Sequence, residues 1–240
     1  MSPWPLVAIP ILMYHAVLPI EPNASVRGTV PLSLFREQIA WLARRGYRSL
    51  TLDEAADALR GDAPASRARS VAITFDDGYR CVVEHAVPVL AEFGMTATLF
   101  VVTAAVDTTT DWYVQGGGRS FEHASWDELE RAISRGFAIG SHTVNHRSLV
   151  DASDAVLADE LGASKERLEK RLGACRHFAY PFGAHGAASV AAVQRAGYTT
   201  ACSTEAGLNR RGQPLLRLRR QSVSRTSTAG RFRRRLGAWM

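Results

Sequence analysis

Lysine is nearly absent from this sequence of 240 residues: only Lys165 and Lys170 occur among 29 basic side chains, and the arginines are dispersed rather than gathered in a stripe. Cysteine is scarce too. Cys81, Cys175 and Cys202 are too few and too scattered for a disulfide framework or a cysteine-based zinc site, and they suit a reducing compartment. No eighteen apolar residues run together, which excludes a membrane-crossing helix. The opening Met1-Ser2-Pro3-Trp4-Pro5 carries no positive residue ahead of an apolar stretch broken by Pro10. It therefore lacks the charged and apolar regions of a secretory signal, and the chain reads as cytoplasmic. Neither a solenoid repeat nor a low-complexity linker divides it.

What is present suffices for a full core. Hydrophobic residues make up 46% and charged residues 22%, which excludes wholesale disorder and fits one large domain. The formal charge is +6, with a sequence pI of about 9.6. Such a balance can indicate an anionic partner, but without a basic stripe or interleaved aromatics it does not point to nucleic acid. The one real cluster is Arg225, Arg231, Arg233, Arg234 and Arg235. It reads as a solvated Arg-rich tail over residues 225–240, leaving 1–224 as the folded domain.

Short β-type runs alternate with helical ones. Ile11-Leu12-Met13-Tyr14 is a plausible first strand, followed by a helix from about Ser33 with Phe35, Ile39 and Leu42 on one stripe and Gly46 as its stop. Thr51 and Glu54 form a capping-box pair that opens a second helix ending near Gly61. Val71 to Phe75 reads as a buried strand. A helical stretch through Val82, Val83, Val87 and Leu90 stops at Gly94, with Pro88 kinking or dividing it. Thr96 to Val102 is the next strand, Ser125 and Glu128 cap a helix ending at Gly136, and Phe137 to Ile139 is a short strand. Leu157, Leu161, Leu168 and Leu172 keep a helical period from about Ser153, and His177 to Tyr180, Thr199 to Ser203 and Leu215 to Leu218 supply the last strands. About seven strand–helix units imply a parallel α/β barrel, whose chemistry sits on loops after the strands.

Three clusters follow expected strands. In Thr74-Phe75-Asp76-Asp77-Gly78-Tyr79, Gly78 permits a tight turn that aims two carboxylates into one cavity. One carboxylate can bind a cation while its neighbour acts as a general base. In His142-Thr143-Val144-Asn145-His146 the histidines stand four apart, a spacing that predicts one face of a helical turn and a shared ion. Gly140-Ser141 supports a sharp exit from the strand. Two imidazoles and a carboxylate make a three-ligand site suited to Zn²⁺, with open positions for water and a substrate oxygen. In Tyr180-Pro181-Phe182-Gly183 a stiff loop can expose an N–H to an oxyanion, or its aromatics a wall to a sugar ring.

Thr74-Phe75-Asp76-Asp77-Gly78, Ser141-His142-Thr143-Val144-Asn145-His146 and Tyr180-Pro181-Phe182-Gly183, in this order, resemble the signature of the polysaccharide deacetylase family, the nodulation-deacetylase homology domain of carbohydrate esterase family four. The resemblance runs from about Met13 to Val223. It implies a single-domain, distorted (β/α)7-type barrel that removes N-acetyl groups from amino sugars with the help of a metal. By position, it implies Asp76 as the catalytic base, Asp77, His142 and His146 as ligands of one divalent ion, and the Tyr180 amide as an oxyanion donor. Zn²⁺ leads as the metal, with Co²⁺ or Ni²⁺ as alternatives. Many members take a general acid from a late histidine, yet no histidine follows His185 here. Leu12-Met13-Tyr14-His15 instead resembles the poly-N-acetylglucosamine deacetylase branch, which assigns the acid to His15. Leu218-Arg219-Arg220-Gln221-Ser222-Val223 resembles that branch's closing segment, with Arg219 in place of the usual proline. Arg220 then matches the arginine that orients the base, and Arg217 is the alternative if the register slips.

Trp112 and Trp126 flank an insertion from Asp107 to Ser125 that contains Gly116-Gly117-Gly118, a candidate lid bearing a stacking platform for sugar. Together with Phe182 and Gly183 they are the candidate substrate contacts. The expected partner is an N-acetylated saccharide. Competing readings are a cyclic-amide hydrolase of the same fold, an iron-dependent oxygenase using two histidines and a carboxylate, and a non-catalytic glycan-binding module.

Overall fold

The computed structural model describes residues 8–20, 28–62, 69–110 and 120–237. Its centre is a sheet of short, buried parallel strands: β1 (Ile11–Tyr14), β2 (Tyr47–Leu50), β3 (Arg69–Phe75), β4 (Thr98–Val101), β5 (Ala138–Ser141), β6 (His177–Ala179), β7 (Thr200–Cys202) and β8 (Gln221–Ser222). The order across the sheet is β7-β6-β5-β4-β3-β1-β8, with β2 paired to the first half of β3. The sheet curls back on itself. Leu218 forms a parallel bridge with Cys202 of β7, and three residues later Gln221 pairs with Leu12 of β1. One segment thus joins both edges and completes a (β/α)7-type barrel.

Side chains on a strand alternate between faces, and the two faces here carry different cores. Outward residues such as Leu12, Tyr14, Val71, Ile73, Phe75, Leu99 and Phe178 pack under the helices. Tyr14, Phe35 and Phe75 form an aromatic triangle with ring centroids 5.2, 5.4 and 5.8 Å apart, each pair contributing about 0.5–1.5 kcal/mol beyond area burial. Inward residues Ile11, Ala72, Phe100, Ala179, Cys202 and Leu218 fill the barrel, joined by Leu52, Ala55 and Leu59 of α2 (Leu52–Arg60). Gly140 also faces inward. A Cβ there would meet the Phe100 ring at 2.6 Å and the His177 carbonyl at 2.9 Å. Close packing, rather than the expected sharp exit from the strand, explains this glycine.

The helices follow their local signals. α1 (Leu32–Arg44) buries the Phe35, Ile39 and Leu42 stripe, and Gly46 follows it at φ +74°. The Thr51–Glu54 box opens α2, and the Ser125–Glu128 box opens α4 (Trp126–Ser134), both reciprocal bonds being present in each. α3 (Val87–Glu92) has Pro88 in its first turn, where no N–H is needed, behind a π turn over Val82–Ala86.

Several expectations required correction. The long helix after Ser153 is α5 (Asp154–Ala158) and α6 (Ser164–Leu172), joined by a π turn over Asp159–Ala163. Leu215 to Leu218 is not a strand: Leu215–Arg217 is a 3₁₀ turn entered from Pro214, and only Leu218 pairs. β2 and α7 (Ala187–Arg195) lie where no element was expected, the first because Arg48 and Ser49 dilute its apolar run, the second because its stripe is mostly alanine. The Arg-rich end is not a free tail over its described part. It forms α8 (Ala229–Gly237), which buries Phe232 and Leu236, with the Phe232 ring 6.0 Å from Trp41 of α1. Arg231, Arg233 and Arg234 stay exposed on its outer side. Among the described residues no helix is long and apolar enough to cross a membrane. The cysteines are buried free thiols, pushed up to about 12 by desolvation and so poor nucleophiles.

Candidate active site

The same alternation that fills the barrel builds its site. On β3 the parity of Ala72 and Thr74 carries Asp76, one residue past the strand, to the interior. On the closing segment the parity of Leu218 carries Arg220 inward. The two meet. Arg220 donates from Nη1 to Asp76 Oδ1 at 2.6 Å and from Nη2 to Oδ2 at 2.7 Å, a bidentate fork between fully buried partners. The remaining guanidinium donors reach the Ser203 carbonyl at 2.8 Å and Thr74 Oγ1 at 3.2 Å, and the ion lies 5.8 Å from the Phe100 ring. Burial alone pushes the Asp76 pKa up. The charges of Arg220 and His142 and the hydrogen bonds from Arg220 outweigh it, holding the carboxyl well below the usual carboxylate range. Arg217 lies in the preceding 3₁₀ turn, so the register places Arg220 rather than Arg217 on Asp76.

Asp77 sits at φ +75° and Gly78 at φ +74°, a turn that aims the two adjacent carboxylates differently. Glycine is required at position 78, because a Cβ would crowd the Val101 backbone at 3.3 Å. The turn is gripped from the insertion. His123 Nδ1 donates to the Asp77 carbonyl at 2.9 Å, and the Ala124 N–H donates to the Gly78 carbonyl at 2.9 Å. Burial lowers the His123 pKa despite Asp77 beside it, so the ring is neutral near pH 7.

His142 leaves β5 with its N–H still bonded to the Val101 carbonyl. Its Nδ1 lies 2.7 Å from the Ala179 carbonyl. A carbonyl only accepts, so Nδ1 donates to it, and this bond fixes the ring with Nε2 turned towards Asp77. His142 Nε2 is 3.6 Å, and His146 Nε2 3.4 Å, from Asp77 Oδ1. Burial, reinforced by His142, pushes His146 down to about 4, so that ring presents a lone pair at neutral pH. The histidines do not share a helical turn. Thr143 at φ +72° and His146 at φ +57° form an irregular loop, because its N–H groups bond side chains instead of a helical ladder. Thr143 Oγ1 accepts from the His146 N–H at 2.9 Å, and buried Glu160 accepts from the Val144 and Asn145 N–H groups at 2.9 Å each. Asp77, His142 and His146 present donor atoms within 4.8 Å of one another. Two imidazole nitrogens and one carboxylate oxygen in a largely buried setting fit a divalent ion.

A profile of the family described as polysaccharide deacetylase matches residues 63–201. The Bacillus subtilis (strain 168) protein YxkH, assigned by name to the polysaccharide deacetylases, is 30% identical over 217 residues, which cover 90% of this chain and 71% of that one. This chain belongs to the polysaccharide deacetylase family. It is also 32% identical, over 158 residues, to the poly-beta-1,6-N-acetyl-D-glucosamine N-deacetylase of Escherichia coli (strain K12), a match that spans 63% of this chain but only 23% of that protein. Among solved structures, the Streptococcus pyogenes deacetylase PplD in complex with acetate superposes with a TM-score of 0.80 at 27% identity, covering 94% of this chain and 96% of that one.

The other expected site residues of this family member divide into those gathered at the site and those that are not. His15 follows β1, half-buried, near enough for its charge to act on Asp76 and His146. Phe182 is 66% exposed, with its ring 4.7 Å from the His146 ring. Tyr180 is different. Its N–H donates to the Cys202 carbonyl at 3.0 Å, continuing the β6–β7 ladder, so that amide is not available to an oxyanion. Its hydroxyl donates to the Leu216 carbonyl, and its ring stacks on His185. Gly183, at φ +72°, is required by Thr204, whose backbone nitrogen lies 2.5 Å from where a Cβ would be. Trp126 packs in the outer helical shell, partly buried, with the Arg171 guanidinium over its ring at 5.8 Å. Trp112 and Gly116-Gly117-Gly118 lie outside the described residues.

Two residues at the site had no place in the sequence reading. Glu160 falls within the buried stripe Leu157, Leu161, Ser164 and Leu168, and an acid in such a stripe is itself a signal of a buried partner. His123 shares the inward parity of Phe121 across a two-residue strand, too short for periodicity to register.

Proposed function

We propose that this polysaccharide deacetylase family member is a metal-dependent N-deacetylase that hydrolyses the acetamide of N-acetylated glucosamine saccharides to a free amine and acetate. One observation carries the reading: a buried carboxylate kept ionised by a bidentate arginine stands one residue from a carboxylate that converges with two imidazoles.

Asp77 Oδ1 and the Nε2 atoms of His142 and His146 would hold the ion, and zinc suits this donor set best. The chemistry a divalent ion supplies there is acidification of water and polarisation of a carbonyl. Asp76 takes the proton of the attacking water. Arg220 occupies one lone-pair direction on each Asp76 oxygen and so fixes where the free lone pairs point. Addition of water to the acetyl carbon and cleavage of the carbon–nitrogen bond require a proton on the leaving nitrogen, and His15 donates it. With the Tyr180 amide committed to Cys202, the Phe182 N–H, in a residue held at φ +60°, takes the oxyanion role. The exposed Phe182 ring beside His146 provides an apolar wall for a pyranose face. The Escherichia coli relative named for poly-beta-1,6-N-acetyl-D-glucosamine supports an N-acetylglucosamine substrate.

The test is acetate release from N-acetylglucosamine oligomers of increasing length, with and without chelation. Activity that is lost on chelation and regained with Zn²⁺ is the expected result; activity that survives thorough chelation overturns the reading.

A further inference from the structure

The loop between His142 and His146 has no regular secondary structure, yet it must hold two imidazoles to within tenths of an ångström. The structure assigns that task to Glu160. Its side chain is 3% exposed. Oε2 accepts from two successive backbone N–H groups, Val144 and Asn145, each at 2.9 Å, and Oε1 accepts from Asn145 Nδ2 at 2.8 Å. Both backbone donors lie between the two histidines. Arg147, the one cation within 4.0 Å among the described residues, has Nε 3.9 Å away on a side chain 68% exposed, so the carboxylate's charge is met chiefly by the loop.

Glu160 reaches the loop from the π turn between α5 and α6. A π turn inserts a residue into the helix and re-aims its side chains, frequently at functional sites. Here it buries Glu160 and Leu161 side by side. One helical turn later, Ser164 Oγ lies 2.8 Å from Ser141 Oγ, which accepts from the Thr143 N–H at 3.2 Å. The helix therefore holds the loop at its first residues through Ser164 and at its middle through Glu160. We infer that Glu160 is a positioning residue for the histidine pair and sets the site's affinity for a divalent ion without touching it, a role that rests on the function proposed above.

A carboxylate is required because all three partners are donors. A glutamine oxygen can still meet the two fixed backbone donors, but its NH₂ forces the Asn145 amide to turn over and the charge that strengthens all three bonds is lost. The experiment measures the zinc dissociation constant by chelator competition on folded protein, with circular dichroism as the folding check. Wild type, E160Q, E160D and N145A are compared. E160Q is expected to weaken zinc ten- to a hundredfold, the range for partners that orient metal ligands. Excess zinc restores most of its kcat, and E160D recovers part of the affinity. N145A, which removes only the Nδ2 bond, is expected to stay folded and weaken zinc by about two- to fivefold, so it decides the matter if E160Q fails to fold. Unchanged zinc affinity in folded E160Q, or in N145A if E160Q does not fold, overturns the positioning role. A wild type that binds no zinc overturns the function and this role together.

Discussion

Asp76 is held ionised by a partner 2.6 Å away in the barrel interior, and that pairing sets two expectations at the scale of single residues. Asp76→Asn keeps shape and burial but removes the proton acceptor. Acetate release should fall by about 10²- to 10⁴-fold, while zinc content, for which Asp77, His142 and His146 are the proposed ligands, should stay at the wild-type value. Loss of metal together with activity would show that Asp76 is a ligand instead. Arg220→Met leaves Asp76 buried without its counter-charge, and desolvation then drives its pKa upward. The acid limb of kcat/KM should move to higher pH, and urea unfolding should show a loss of about 3–5 kcal/mol, the usual cost of orphaning a buried charge. The double variant Asp76→Asn, Arg220→Met should recover part of that loss, because no uncompensated charge remains. The carboxylate's folded pKa lies below its unfolded value, so this stabilisation is fully present above the unfolded pKa of about 3.9. It fades only as pH falls towards the folded value.

At the scale of elements, local signals succeeded where the chain's own neighbours decide the conformation. Both capping boxes and the Ile11–Tyr14 strand lie where side-chain chemistry and alternation place them. Failures cluster where a distant group wins. The His142–His146 spacing suits a helical turn, but the Glu160 carboxylate offers its N–H groups a better partner. The Arg-rich end reads as a solvated tail because its charges dominate, although Phe232 and Leu236 stand four apart and dock on α1. Phe232→Ala should therefore destabilise the fold by about 3 kcal/mol in thermal or urea unfolding, with kcat unchanged at temperatures where the variant remains folded. A change below about 0.5 kcal/mol would mean that α8 contributes no packing.

At the scale of the whole molecule, stability is linked to ligand and to protons. Zn²⁺ at a hundred times its dissociation constant should raise the unfolding free energy by about 2.7 kcal/mol. The increment should vanish in the double variant His142→Ala, His146→Ala; its persistence there would place the ion elsewhere. His177, at the start of β6, is buried with Nδ1 2.9 Å from Thr200 Oγ1. Desolvation pushes it down to about 4 against the pull of Asp53. The folded value is the lower one, so this contribution is complete above about pH 6.5 and is lost as pH falls from there towards 4. The loss should be on the order of 1 kcal/mol per pH unit, and His177→Gln should flatten the pH dependence of unfolding in that window.

The chain's linear order was enough to identify the family. Adjacent aspartates, two histidines and an aromatic Pro-Gly loop, each following an apolar run, mark the family, because strand parity and residue chemistry are local properties. What only the tertiary structure decided is which groups are already committed. The Tyr180 amide is taken by Cys202, one Trp126 face by Arg171, and the Val144 and Asn145 N–H groups by Glu160. A hydrogen-bond donor or a ring face serves one close partner at a time. Its partner here stands between 15 and 45 residues away along the chain, a distance over which no spacing rule operates and only packing can choose.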